Sequence, residues 1–197
     1  MEVALLARHG ESVYSVRSLL NGDPTVACGL TELGLQQARA LGVELAERPI
    51  DLCVTSEFER TQLTAAEALA GRVVPRAVEP DLNDPRYGRF EGGPLEEYRH
   101  WADTAPSGLA APGGGESRQQ IAARYARGFR SLLERSEQNV FVVAHSLPLS
   151  VALAAADGIP PRPRAAMTAY ATLHRFEHER LTRATLVIEQ WLAAPDW

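Results

Sequence analysis

Apolar residues gather along this chain in three short, nearly unbroken runs, at Val3–Ala7, Ile50–Thr55 and Asn139–Ala144. Runs of this length without polar alternation are the pattern of strands buried on both faces, as in the centre of a parallel sheet. Between them the period changes. Thr31 can cap a helix in which Gly34, Ala38, Leu41 and Leu45 recur at spacings of four and three, with Pro49 beyond its end. Ser117 with Gln120 forms a capping box for a helix whose buried face is Ile121, Tyr125, Gly128, Phe129 and Leu132. Ser56 with Glu59 forms another, which puts Arg60 in the first turn of its helix. Ser146 can cap a further helix with Pro148 in the tolerated first turn.

The remaining patterns are weaker. Arg72–Glu79 reads as a strand interrupted by Pro75, hence an edge. Tyr170–Phe176 and Thr185–Trp191 read as two strands around a charged turn. A short helix is expected around Leu95–Trp101, followed by the Ala/Pro/Gly-rich Ala105–Gly115. Residues 85–116 therefore read as a small lid inserted in a single domain spanning 1–197. Strands alternating with capped helices predict an α/β fold, a three-layer α/β/α sandwich on a mainly parallel central sheet. Such sheets bind ligands at the carboxyl ends of their strands. Three of these strands end in Arg8-His9, in Thr55-Ser56 just before Arg60, and in His145, so one rule brings two histidines and two arginines to a common edge.

With 197 residues and 45% hydrophobic content the chain can bury a full core. Its net charge of −5 argues against a general nucleic-acid binder, while an arginine pocket for one phosphate stays compatible with it. All 20 basic residues are arginine. Cys28 and Cys53 have neither metal-ligand nor redox spacing. His174 and His178 are four apart but fall on an expected strand and turn, not a helix face. Gly113–Gly115 does not follow a strand, and Ser146 lacks a Gly-x-Ser-x-Gly setting, so neither a nucleotide phosphate loop nor a hydrolase nucleophile is indicated. No apolar stretch is long enough to span a bilayer and the N-terminus lacks a basic leader, so a cytoplasmic location without membrane contact is expected.

The edge residues define an anion site. Arginine forks suit phosphoryl oxygens, and two helix starts add oriented N–H groups. A histidine kept neutral by neighbouring arginines has a lone pair available for attack on phosphorus. The leaving oxygen needs a proton donor, for which Asp84, Glu91 and Glu11 are the candidates.

The motifs Leu6-Ala7-Arg8-His9-Gly10-Glu11-Ser12, Leu30–Ala38, and Thr55-Ser56 with Arg60-Thr61 resemble those of the histidine phosphatase superfamily, in its phosphoglycerate-mutase-like branch. Leu82–Gly92 resembles the family's acid-bearing loop, Gly115-Glu116-Ser117 its Gly-Glu-Ser helix start, and Val142–Ser146 its second-histidine strand. The match runs in order from residue 3 to about 157. The resemblance implies a metal-independent phosphatase, with no cofactor, that hydrolyses a phosphomonoester through a phosphohistidine on His9. It places Arg8, Arg60 and His145 around the phosphoryl group, Asp84 as acid and then base, and Asn21, Gly22, Ser15 and Ser146 at substrate. The partner it implies is a small phosphorylated metabolite, and the C-terminal β-rich segment leaves room for a homodimer.

Departures from the family pattern bear on the reaction. Asp84 stands where most relatives of this branch have Glu, Ser15 where many have asparagine, Leu19 where mutases tend to have arginine, and Ser146 where glycine is common. The long mutase-specific segment after the acid loop is missing. These losses favour a phosphatase over the alternatives, a mutase-type phosphotransferase or a non-catalytic phosphate-binding module.

Overall fold

The computed structural model describes all 197 residues. Five strands, β1 (Val3–Arg8), β2 (Leu52–Thr55), β3 (Arg76–Val78), β4 (Asn139–Ala144) and β5 (Leu173–Glu177), form one sheet in the order β3-β2-β4-β1-β5. β1 to β4 run parallel, and β5 pairs antiparallel with β1 at one edge. Six helices accompany it: α1 (Glu32–Leu45), α2 (Glu59–Ala68), α3 (Leu95–Thr104), α4 (Arg118–Leu133), α5 (Ser146–Ala156) and α6 (His178–Ala193).

Because side chains alternate along a strand, the three apolar runs feed two cores at once. Leu6, Val54 and Val142 pack with Tyr125 and Phe129 of α4, Leu149 of α5 and Ile188 of α6. Leu5, Cys53 and Phe141 face the other way, onto Leu41 and Leu45 of α1 and Ala65 of α2. This is the three-layer sandwich that the alternation of strands and helices predicts. A third cluster joins Leu20 to Tyr87, Phe90, Tyr98, Ala102 and Ala111 of the segment expected as a lid, which thus carries an aromatic core of its own.

Two caps form as expected: Thr31 Oγ1 accepts from Gly34 N, and Ser117 with Gln120 closes a full capping box. Elsewhere the structure corrects the pattern. Thr185–Trp191 lies in α6 and not in a strand. Leu181, Ala184, Thr185, Ile188 and Trp191 form a buried stripe at helical spacing, and packing overrides the β propensity of Thr185, Val187 and Ile188. The preceding strand shortens to Leu173–Glu177, because Ala171 takes a positive φ of 45° that ends extended backbone before it. β3 begins after Pro75, as an edge strand with Arg76 and Val78 exposed. Ser56 caps no helix: Phe58 is the N-cap of α2, and the Ser56 hydroxyl turns inward. His145 occupies the N-cap of α5, so Ser146 is its first residue.

Gly10 and Gly34 explain how the first site loop seats. A Cβ on Gly10 would stand 2.5 Å from the Gly34 carbonyl oxygen, and one on Gly34 would stand 2.0 Å from the Glu11 carbonyl oxygen. Only two glycines let the turn after β1 cross the start of α1 this closely.

Candidate active site

The carboxyl ends of β1, β2 and β4 border a cavity of about 360 Å³, lined by Arg8, His9, Ser15, Asn21, Arg60, Asp84 and Ser146 among others. His9 is 3% exposed. Its Nδ1 lies 2.7 Å from the Gly10 carbonyl oxygen, which can only accept, so the proton sits on Nδ1 and the lone pair on Nε2. Arg60 Nε donates to that Nε2 at 3.2 Å. Burial first, then the charges of Arg60 and Arg8, push the imidazole well below its ordinary value, so His9 is neutral at pH 7.

Arg60 is the hub. Its Nη1 donates to Asn21 Oδ1, and its Nη2 reaches the Asn21 carbonyl at 3.1 Å and Asp84 Oδ2 at 2.8 Å. Asp84 Oδ2 also lies 3.2 Å from His145 Nδ1. Burial alone would raise the Asp84 carboxyl, but His145 and Arg60 outweigh it and hold the acid well below the usual carboxylate range. His145 is itself fully buried, with Nε2 2.8 Å from Ser56 Oγ. Burial lowers it to about 4 despite the opposing pull of Asp84, so the pair is a carboxylate beside a neutral imidazole.

Arg8 is stacked 3.8 Å from the Tyr170 ring centroid, and its Nη1 donates to Thr168 O at 2.7 Å. Its Nε is buried with no partner. Ser15 Oγ accepts from Ser12 N at 2.8 Å, and Ser146 Oγ accepts from Thr168 N at 2.9 Å. Leu19 also lines the cavity.

Of the sequence-predicted residues, His9, Arg8, Arg60, Asp84, Asn21, Ser15 and Ser146 all reach the cavity. His145 sits behind Asp84 and Arg60 and does not line it. Gly22 is also absent from the lining: its N–H is donated to Glu91 Oε2 at 2.8 Å, and a Cβ there would stand 2.0 Å from the Pro85 carbonyl oxygen. Among the three candidate acids only Asp84 lines the cavity. Glu11 accepts from Thr31 Oγ1 at 2.8 Å, and Glu91 accepts from Gly22 and Tyr87 amides.

Sequence reasoning missed the parts that hold Asp84 in place. Arg124 donates to the carbonyls of Asp81 and Asn83 and pairs with Glu116 at 3.0 Å, while Glu116 accepts from Arg86 N. The loop carrying the acid is thus gripped by a buried ion pair. Nothing local to Arg124 announces this role, since it sits on an amphipathic helix where arginine is ordinarily solvated. Tyr170 was likewise invisible, because its contact with Arg8 joins positions 162 residues apart. Ser56 reads locally as a cap, and its contact with His145 depends on tertiary structure alone.

The sequence model of the histidine phosphatase superfamily (branch 1) matches residues 4–189. The chain is 34% identical over 158 residues to the adenosylcobalamin/alpha-ribazole phosphatase of Salmonella typhimurium, covering 76% of each. It is 33% identical over 171 residues to a 2,3-bisphosphoglycerate-dependent phosphoglycerate mutase of Methylobacterium, covering 79% of this chain and 80% of the relative. Among solved structures, Bacillus stearothermophilus YhfR superposes with a TM-score of 0.77 at 25% identity, covering 89% of this chain and 90% of that one.

Proposed function

The chain belongs to the histidine phosphatase superfamily, and from that premise we propose that it hydrolyses a small phosphomonoester through a phosphohistidine on His9, without a metal. The observation that carries this reading is the Nε2 lone pair of His9, fixed by the Gly10 carbonyl and presented beside Arg8 and Arg60 in one cavity. The arginines supply the positive charge that phosphoryl transfer requires.

Asp84 Oδ2 occupies the position against Arg60 Nη2 and His145 Nδ1 that a phosphoryl oxygen would take. An incoming dianion displaces the carboxylate from Arg60. Next to that new negative charge the carboxyl pKa rises, and Asp84 takes up a proton from solvent or from monoanionic substrate. His9 Nε2 then attacks phosphorus while the ester P–O bond breaks and Asp84 protonates the leaving oxygen. In the second half-reaction water attacks the phosphohistidine, the P–N bond breaks back to His9, and the Asp84 carboxylate takes the water proton. Arg60 and Arg8 hold the equatorial oxygens throughout, and His145, uncovered when Asp84 moves, faces the same group.

Phosphate release from an aryl phosphate in excess EDTA, with alkaline quenching and peptide mass spectrometry, tests this. Release that survives chelation, with a phosphoryl group on His9, is expected. Dependence on added metal, or turnover without His9 labelling, would sink the mechanism. The Methylobacterium relative supports a second reading, in which phospho-His9 passes its group to another hydroxyl instead of water. That enzyme would transfer phosphate between phosphoglycerates faster than it releases any.

A further inference from the structure

The same cavity carries positive charge that the phosphoryl chemistry does not use. Besides Arg8 and Arg60 it is lined by Arg99, Arg118 and Arg164. Two of these are already neutralised, Arg99 by Glu96 at 2.6 Å and Arg164 by Asp103 at 2.8 Å. Arg118 has no carboxylate within 4.0 Å. Its Nη2 donates to the Pro163 carbonyl at 3.0 Å, and its guanidinium lies 5.2 Å from the Tyr98 ring centroid. Its Nε is buried with no partner. An uncompensated, half-buried cation with an orphaned donor is unfavourable by itself. Arg118 is also the first residue of α4, whose first turn contains no acidic residue to offset the positive helix end. A carbonyl and an aromatic ring do not neutralise this charge, and an anion in the cavity would.

We propose that Arg118 binds a second anionic group, a carboxylate or a second phosphate, on the alcohol part of the phosphomonoester. The substrates are then small phosphorylated acids or bisphosphates, and neutral alcohol or sugar monophosphates are poor ones. The inference rests on reading the His9 end as the phosphoryl site. It makes Arg118 the residue that sorts substrates: Arg8 and Arg60 treat all phosphomonoesters alike, whereas Arg118 responds only to what the leaving group carries.

The test uses two matched pairs, 3-phosphoglycerate against glycerol 3-phosphate, and butane-1,4-diol bisphosphate against its monophosphate. Turnover and calorimetric Kd are measured for the wild type, Arg118→Gln and Arg118→Lys. At least one pair should show a preference of about tenfold or more for the member with the extra anion, the size expected for one charge-assisted hydrogen bond. Arg118→Gln should bring that ratio close to one, and Arg118→Lys should restore part of it. The pair that responds identifies the anion as carboxylate or phosphate. Equal binding within both pairs by the wild type, or a preference that survives Arg118→Gln, overturns the proposal. If the calorimetric preference and its loss in Arg118→Gln are seen without any turnover, the subsite stands and the phosphatase reading falls. If an aryl phosphate is hydrolysed but no preference exists, the reverse holds.

Discussion

The sheet edge and the segments that cross it build their halves of the site by different means. His9, Arg8 and Arg60 come from a strand end and a first helical turn, and they are held by continuous backbone and by burial of 6% exposure or less. Asp84 comes from a loop, is partly exposed, and is held in place by Arg60 in front and by the Arg124–Glu116 pair behind. In the proposed mechanism the edge presents a nucleophile and a charge field that shift little, Arg60 Nε only having to release His9 Nε2 for the attack. In that mechanism the loop yields a carboxylate to incoming substrate and then brings it back, which a strand end could not do.

The comparison can be pressed by substitution. His9→Ala removes the nucleophile from the fixed half and should lower kcat/KM by about 10⁴-fold or more on every substrate. Arg60→Ala should cost about 10³-fold, because it serves His9, the phosphoryl group and Asp84 together. Asp84→Asn should cost about 10²- to 10⁴-fold on an alkyl phosphate and far less on an aryl phosphate, whose leaving group needs no proton. Equal losses on both would place the acid elsewhere. Glu116→Ala breaks a buried ion pair and should lower unfolding free energy in urea by about 3 kcal/mol, with a smaller loss of activity from a loosened loop.

The smallest effect is predicted for acid. Because the folded protein holds the His9 pKa well below its ordinary value, the neutral nucleophile persists as pH falls. Between pH 7 and 5, kcat/KM should stay nearly flat once corrected for the substrate's own ionisation near pH 6. A histidine at about 6.5 would already be mostly protonated at pH 5. A tenfold decline across that range would show that His9 titrates normally.

The fixed half was also the legible half. Val3–Ala7 and Asn139–Ala144 read as buried strands without help from neighbours, and one topological rule then assembled His9, Arg60 and His145. The segments over the edge were harder to read because their order depends on contacts across long separations, such as Arg124 on Asn83 and Tyr170 on Arg8. The C-terminal helix was misread for a related reason. A β-branched cluster spoke locally for a strand, whereas the stripe from Leu181 to Trp191 makes sense only once α4 and α5 are there to bury it.

The ion pair between Asp84 and Arg60 has a bearing on how the pocket empties. A guanidinium dedicated to phosphate alone would hold inorganic phosphate as firmly as substrate, and turnover would stall on the departing product. In the proposed cycle the vacated donor is reclaimed by a carboxylate on the same chain, tethered nearby and therefore at a high effective concentration. On that reading Asp84 acts as a built-in competitor for Arg60, displaced by substrate and near enough to hasten the exit of product.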